Sequence, residues 1–393
     1  MENSEAMKIA LVNKVFSLSH GGLERFAVNL AGALLRGGHE VHAFGQRFAD
    51  LPEGVTVHPL QVTRKSSWWR VLNFHRCAAR TLAIDRFDII LGLTRFFPMD
   101  VYRMGDGVQR HWMRIRYPFS PLRWFNYLLN PAHAANIYME RRLLPGGGAR
   151  RIITNSRLCR DHVRHYYGVP EERIDVVYNG VDHAQFNPEA RAALRSGVRM
   201  ELRLAPEDIA LLHVSNNWQR KGVGVTLRAM AALGNEGSNL HLLVVGRGRA
   251  EPFRRLALKL GLEGRVHFLG PSPEVERFYA AGDLLVLPTL YDPFSNVCLE
   301  AMACGLPVVT TSGNGASEII EEGKTGFVQK DAESVRELEQ ILKGCLDPAT
   351  LRHMGAAAHR VAQDFTPERN MQETLAVCGK VVAAKKSGDA AEN

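Results

Sequence analysis

The sequence predicts an α/β protein made of two Rossmann-like, doubly wound domains. Three observations carry this. Short apolar runs of strand length alternate with amphipathic runs of helix length, as parallel strands with right-handed crossovers require. The alternation occurs twice and relaxes between residues 183 and 206. A chain of 393 residues, 46% hydrophobic and 23% charged, can fill two or three cores at about 100–200 residues each.

In the first block, Lys8–Asn13 (KIALVN) is a short apolar strand. Gly22–Arg36 follows as a helix with Leu23, Phe26, Ala27, Leu30 and Leu34 on one face, and Gly37-Gly38 stops it. Strands are expected at 39–44, 55–60, 88–93, 151–154 and 174–178, and helices at 68–83 and 158–167. The stretch 183–206, with Pro188 and Pro206, reads as a connection holding at most one helix. In the second block strands fit 209–215, 240–245, 266–269, 284–288 and 307–310. Helices fit 222–233, 252–260, 274–281, 296–303 and 333–346, and the polar end of the chain, 385–393, reads as frayed.

Composition excludes several classes. No run of eighteen apolar residues occurs, so no membrane-spanning helix is expected. The start, Met1-Glu2-Asn3-Ser4-Glu5-Ala6, is too acidic and polar for a secretory signal. Six scattered cysteines without a C-x-x-C argue against a disulfide framework or zinc ribbon and fit a reducing cytoplasm. There is no D-x-D, H-E-x-x-H or Walker lysine loop, so no metal or other cofactor is expected. Residues 1–181 hold 25 Lys/Arg against 15 Asp/Glu, net +10, whereas 182–393 hold 24 against 26, net −2. The first half should therefore face something anionic.

In doubly wound domains the loops after the strands carry the ligand sites, and four such loops stand out. Ser19–Arg25, with Gly21-Gly22, opens the first helix and offers backbone N–H groups to an anion or is simply a tight turn; it lacks the G-x-G-x-x-G of a nicotinamide site. Arg220-Lys221-Gly222 sets two cations at a helix start, against the helix dipole, which a bound phosphate would offset. In Tyr291–Glu300 a helix starts near Ser295, leaving the N–H groups of Ser295, Asn296 and Val297 for a phosphate. There Glu300 interrupts the small, apolar stretch 297–303 and could take the two hydroxyls of a ribose, or point to solvent. The fourth loop, Asp100–Gly107, carries two acids, Asp100 and Asp106, six residues apart.

Together these residues resemble the retaining glycosyltransferases of family 4, with the GT-B fold of two facing Rossmann-like domains around a cleft. The carriers are Gly21–Arg25, Val176–Asp182, Arg220-Lys221-Gly222, Asp292-x7-Glu300 and Glu300–Val308. The resemblance implies an acceptor domain at 1–182, a linker at 183–206, a nucleotide-sugar domain at 207–365 and a C-terminal helix, 366–393, returning to the first domain. It implies that Arg220 and Lys221 neutralise the donor diphosphate, that Gly22 abuts it, that Glu300 holds the ribose and that Asp292 holds the sugar hydroxyls. The family usually has Glu where Asp292 stands. Asp100-Val101-Tyr102-x3-Asp106 is similar to the acid-bearing loop of the lipopolysaccharide-core glucosyltransferases, which puts Asp106 in the catalytic position and implies UDP-glucose as donor and an anionic core glycolipid as acceptor.

Residues 103–127 interleave Arg103, Arg110, Arg114, Arg116 and Arg123 with Trp112, Tyr117, Phe119, Trp124, Phe125 and Tyr127. This composition suits an anionic membrane interface, and the resemblance implies peripheral attachment to the cytoplasmic face of the inner membrane. Stacking on nucleic-acid bases and ordinary packing are the alternatives, and no nucleic-acid partner is expected. Two rival functions stay open: a non-catalytic nucleotide-sugar or nucleic-acid binder, and another nucleotide-sugar enzyme such as a hydrolysing epimerase.

Overall fold

The N-terminal sheet has seven strands: β1 (Lys8–Val12), β3 (Glu40–Gly45), β5 (Thr56–Pro59), β6 (Ile89–Gly92), β7 (Met99–Met104), β8 (Ala149–Thr154) and β9 (Ile174–Val176), with β2 (Val15–Phe16) and β4 (Arg47–Phe48) pairing separately. The order is β5-β3-β1-β6-β7-β8-β9, and every pairing is parallel. Helices cover such sheets on both faces, which is why Ile9–Val12 and Ile89–Gly92 are buried without alternation. The connecting helices are α1 (Gly22–Arg36), α2 (Ser67–Thr81), α3 (Gln109–Arg116), α4 (Pro131–Leu143) and α5 (Arg157–Tyr167). This computed structural model describes the chain except residues 1–5, 19–21, 64–65, 83–85, 120, 122–124, 126–128 and 390–393.

Strand β7 occupies part of the loop expected at Asp100–Gly107. Its polar residues hid it: all six residues of Met99–Met104 are buried. Asp100 sits near the start of the strand, far from the loops that follow the strands. Its Oδ2 accepts from the Ile90 N–H at 2.8 Å and from Lys385 Nζ at 3.2 Å. Arg103 stacks on Phe26 at 4.2 Å and donates to Thr374 Oγ1 at 3.3 Å. Asp100 and Arg103 are therefore structural, and of the two candidate acids only Asp106 lies at the loop end of β7.

The second unit contains α6 (Pro188–Glu201), β10 (Ile209–Val214), α7 (Val223–Ala232), β11 (Leu240–Val245), α8 (Ala250–Lys259), β12 (Val266–Gly270), α9 (Glu276–Ala281), β13 (Leu284–Val286), α10 (Asn296–Ala303), β14 (Val308–Thr311), β15 (Gly326–Gln329), α11 (Val335–Lys343) and α12 (Pro348–Ala362). Its sheet runs β12-β11-β10-β13-β14-β15, again wholly parallel. The expected linker, 183–206, belongs to this unit. Within it α6 lies on α9, and Arg195 and Arg199 bind Asp283 at 2.5 and 3.1 Å.

The chain divides into Met1–Tyr178 with Glu368–Asn393, and Asn179–Pro367. The last helix, α13 (Pro367–Asp389), thus belongs with the N-terminal sheet. There Val377, Cys378 and Val381 join the cluster of Ile9, Leu11 and Leu91. No described helix is long and apolar enough to cross a membrane.

Candidate functional site

In the second unit the loops after β10, β13 and β14 meet at the start of α10. The first, 215–222, is locked by Trp218, which is buried and donates from Nε1 to the Ser215 carbonyl at 3.1 Å. Gly222 ends the loop with φ +85, and a Cβ there would collide with the Pro288 carbonyl. The Arg220 carbonyl accepts from Leu290 N at 2.9 Å, tying the first loop to the second. Replacing Gly222 by Ala should cost well over 1 kcal/mol, since it combines a positive φ with a backbone clash. Urea unfolding measures this; a midpoint equal to wild type would mean the loop is not held as described.

The two cations are placed differently from one another. Arg220 is about a quarter exposed and donates from Nη1 to the Tyr291 carbonyl at 2.6 Å. Lys221 is buried; its ammonium pairs closely with Asp292 Oδ2 and donates to Ser295 Oγ at 2.9 Å. The carboxylate rather than a ligand alone offsets the cation at the start of α7. Burial pushes the Asp292 carboxyl up, but Lys221, Arg220 and the Ser295 hydroxyl together hold it below the ordinary carboxylate value. Behind Lys221, buried His213 is pushed down to about 3 by desolvation and so adds no second charge.

The third loop supplies a residue that the sequence reading missed. Fully buried Asn314 accepts at Oδ1 from the N–H groups of Ser295 and Ala316, both at 3.1 Å. It donates from Nδ2 to Thr310 Oγ1 at 2.9 Å. The Ser295 N–H is therefore engaged, contrary to expectation. The N–H groups of Asn296 and Val297 lie in the first turn of α10, where a helix supplies no acceptor of its own. The Asn296 side chain accepts from Asn179 Nδ2 at 2.7 Å. The signal for Asn314 was its setting, Ser312-Gly313-Asn314-Gly315 directly after a strand.

Glu300 does not point freely to solvent. Its Oε2 accepts from Tyr279 Oη at 2.6 Å, and burial together with this carboxylate raises the tyrosine well above its ordinary value. Tyr279, like Asn314, escaped the sequence reading, because an aromatic on a short helix reads as core.

In the N-terminal unit, Gly22 is the first residue of α1, while Gly21 lies outside the described residues. Asp106 sits on the turn after β7, its side chain 57% exposed, 3.4 Å from Arg95 Nη1. The basic segment splits. Arg110 is turned inward, donating to the Tyr166 carbonyl at 2.7 Å and lying over Tyr167. Trp112 is half-buried; Arg114 and Arg116 are exposed over Tyr166 and Tyr117. Phe119 and Phe125 are exposed, and Arg123 and Trp124 lie outside the described residues.

Two all-parallel Rossmann-like units, with a cation pair, two acids and a helix start gathered after the strands of the second, define a protein of the GT-B class. A profile described as "Glycosyltransferase Family 4" matches residues 20–185, and one described as "Glycosyl transferases group 1" matches 208–347. The chain belongs to this glycosyltransferase family. It is 26% identical over 336 residues to the lipopolysaccharide glucosyltransferase WaaG of Escherichia coli K12, covering 84% of this chain and 88% of WaaG. The crystal structure of WaaG, a glycosyltransferase involved in lipopolysaccharide biosynthesis, superposes with a TM-score of 0.79 at 23% identity, over 93% of this chain and 99% of WaaG. Anabaena Alr3699/HepE, solved with UDP and glucose, gives 0.69 at 22% identity, over 94% of this chain and 98% of that one.

Proposed function

We propose that the protein is a retaining hexosyltransferase that moves glucose from UDP-glucose to an anionic glycolipid of the lipopolysaccharide-core type, without a metal ion. The observation that carries this reading is the convergence of Arg220, Lys221, Asp292 and the first turn of α10 on one spot. The relationship to WaaG supports the acceptor class, and the structures of HepE in complex with UDP and glucose and with UDP-glucose support the donor.

Cleaving the anomeric C–O bond leaves negative charge on the β-phosphate. Arg220, Lys221 and the N–H groups of Asn296 and Val297 stabilise that charge more in the transition state than in the ground state. Lys221 then divides its donors between the diphosphate and Asp292, so Asp292 serves first to keep the ammonium in place and, with its second oxygen, to receive sugar hydroxyls. Tyr279 holds the Glu300 carboxylate at the angle that receives the ribose diol. Asp106, in the catalytic position that the resemblance implies, stabilises the positive charge of the oxocarbenium-like sugar.

Transfer of labelled glucose from UDP-glucose to a deacylated core acceptor tests the reading, with GDP- and ADP-glucose as competitors. UDP-glucose should be the preferred donor and should raise the melting temperature by binding the native state. No transfer and no thermal shift with any nucleotide sugar refutes it and leaves a fold without its chemistry.

Attachment to the inner-membrane surface rests on exposed Arg114, Arg116, Phe119 and Phe125. Co-sedimentation with anionic vesicles should be strong at low salt and fall as salt rises. Equal binding to neutral vesicles, or none, removes the membrane from the proposal.

A further inference from the structure

A buried charged network stands directly beneath the turn that carries Asp106. Glu140 on α4 is completely buried. Its Oε1 accepts from Arg95 Nη2 at 3.0 Å and from the backbone N–H of Gln109, the first residue of α3, at 2.8 Å. Its Oε2 accepts from the hydroxyl of Tyr167, the last residue of α5, at 2.6 Å. Arg95, on the loop after β6, also donates from Nη2 to the Gly107 carbonyl at 3.1 Å, and its Nη1 reaches Asp106. One guanidinium therefore binds a buried carboxylate on one side and, on the other, both the backbone and the side chain of the turn 105–108.

Stability does not account for this arrangement. A buried ion pair is seldom worth more than apolar residues of the same size, and α4 and α5 could pack on the sheet without it. What the network adds is position. The turn is gripped at the Gly107 carbonyl by Arg95 and at the Gln109 N–H by Glu140, and Gly107 takes a φ of +71 that fits the chain between these grips. Asp106, exposed and on a turn, otherwise has rotamers to spare. The fork of Arg95 selects one of them and holds it against a base that cannot move.

We propose that Arg95, anchored by Glu140 and Tyr167, is the positioning residue for Asp106 in glucosyl transfer. This rests on Asp106 being the catalytic carboxylate. Arg95 touches no reacting atom; it acts through the carboxylate that it orients. The donor residues lie in the other unit and do not depend on it.

The test compares full-length Arg95→Met/Glu140→Met, Asp106→Asn and the triple variant, using UDP-glucose and a deacylated core acceptor. Replacing both charges avoids leaving one buried alone. The double variant should melt cooperatively, with kcat about 10²-fold lower, the size expected when a reacting group is misplaced by about 1 Å, and with the KM for UDP-glucose unchanged. The triple variant should then be no slower than Asp106→Asn alone. Wild-type kcat in the double variant, or losses that multiply in full in the triple variant, would overturn the positioning role. Wild-type turnover in Asp106→Asn alone would instead overturn the catalytic reading on which the role rests. Should the double variant fail to melt cooperatively, Arg95→Lys carries the test, because it keeps a cation for Glu140 but cannot reach Gly107 and Asp106 together. A kcat loss at unchanged donor KM supports the proposal there too, and wild-type kcat overturns it.

Discussion

Replacing Arg220 by Ala should lower kcat with UDP-glucose by about 10²–10³-fold, the usual effect of deleting one donor aimed at developing charge. Stability should change by about 1 kcal/mol or less, because the side chain is part-exposed and Asp292, 4.0 Å away, keeps Lys221 as its counter-charge. The two readouts separate chemistry from folding. The substrate should show the same division: affinity for UDP-glucose, whose β-phosphate has not yet gained the leaving-group charge, should fall less than turnover does, since catalysis depends on charge that appears only as the sugar leaves. Steady-state kinetics and calorimetry of UDP-glucose binding without acceptor, on the same preparation, check this. If affinity for UDP-glucose falls while kcat is unchanged, Arg220 binds the ground state and the transition state alike, and the leaving-group role passes to Lys221 and the first turn of α10.

Much of the scaffold was legible because parallel strands buried on both faces are continuous apolar runs. Lys8–Val12, Ile209–Val214 and Leu240–Val245 could scarcely be anything else. Where a central strand carries polar residues the signal disappears. Met99–Met104 holds Asp100 and Arg103, whose partners Lys385 and Thr374 lie some 270–300 residues away in sequence, on α13. No local pattern announces such pairing. The site shows the same division. Arg220, Lys221, Asp292 and Glu300 were visible as charged residues in loops after strands, where open α/β sheets bind ligands. Their mutual arrangement was not. Lys221 read as a cation awaiting phosphate, yet it already holds Asp292, and Ser295 read as a donor, yet its N–H is taken by Asn314. An Asn between two glycines looks like a turn until its side chain is seen to bridge two loops. Glu140 was equally silent, because one acid on a helix of mixed pattern looks like a solvated residue.

The Lys221–Asp292 pair should produce the largest stability effect in the second unit. Lys221→Met leaves a buried carboxylate without its counter-charge and should cost about 3–5 kcal/mol at neutral pH. In the wild type Asp292 titrates below the ordinary carboxylate value, so its contribution is complete above that value and is lost as pH falls through the lowered folded one. In Lys221→Met the sign reverses. Burial is then opposed only by Arg220 and the Ser295 hydroxyl, so Asp292 should titrate above the ordinary value, and acid relieves the defect by neutralising it. The gap between wild type and variant should therefore be widest near neutrality and shrink as the pH is lowered into the carboxylate range. Lys221→Met/Asp292→Asn should recover most of the lost stability at neutral pH, because neither charge is then buried alone. It should not recover turnover, since the diphosphate has lost its cation and the sugar its acceptor. Urea unfolding from about pH 4 to about pH 8, with transfer assays at neutral pH, distinguishes the cases. A gap independent of pH would mean that the ammonium does not hold this carboxylate. A double variant that transfers glucose at the wild-type rate would mean that the pair braces the loops and takes no part in the departure of the nucleotide.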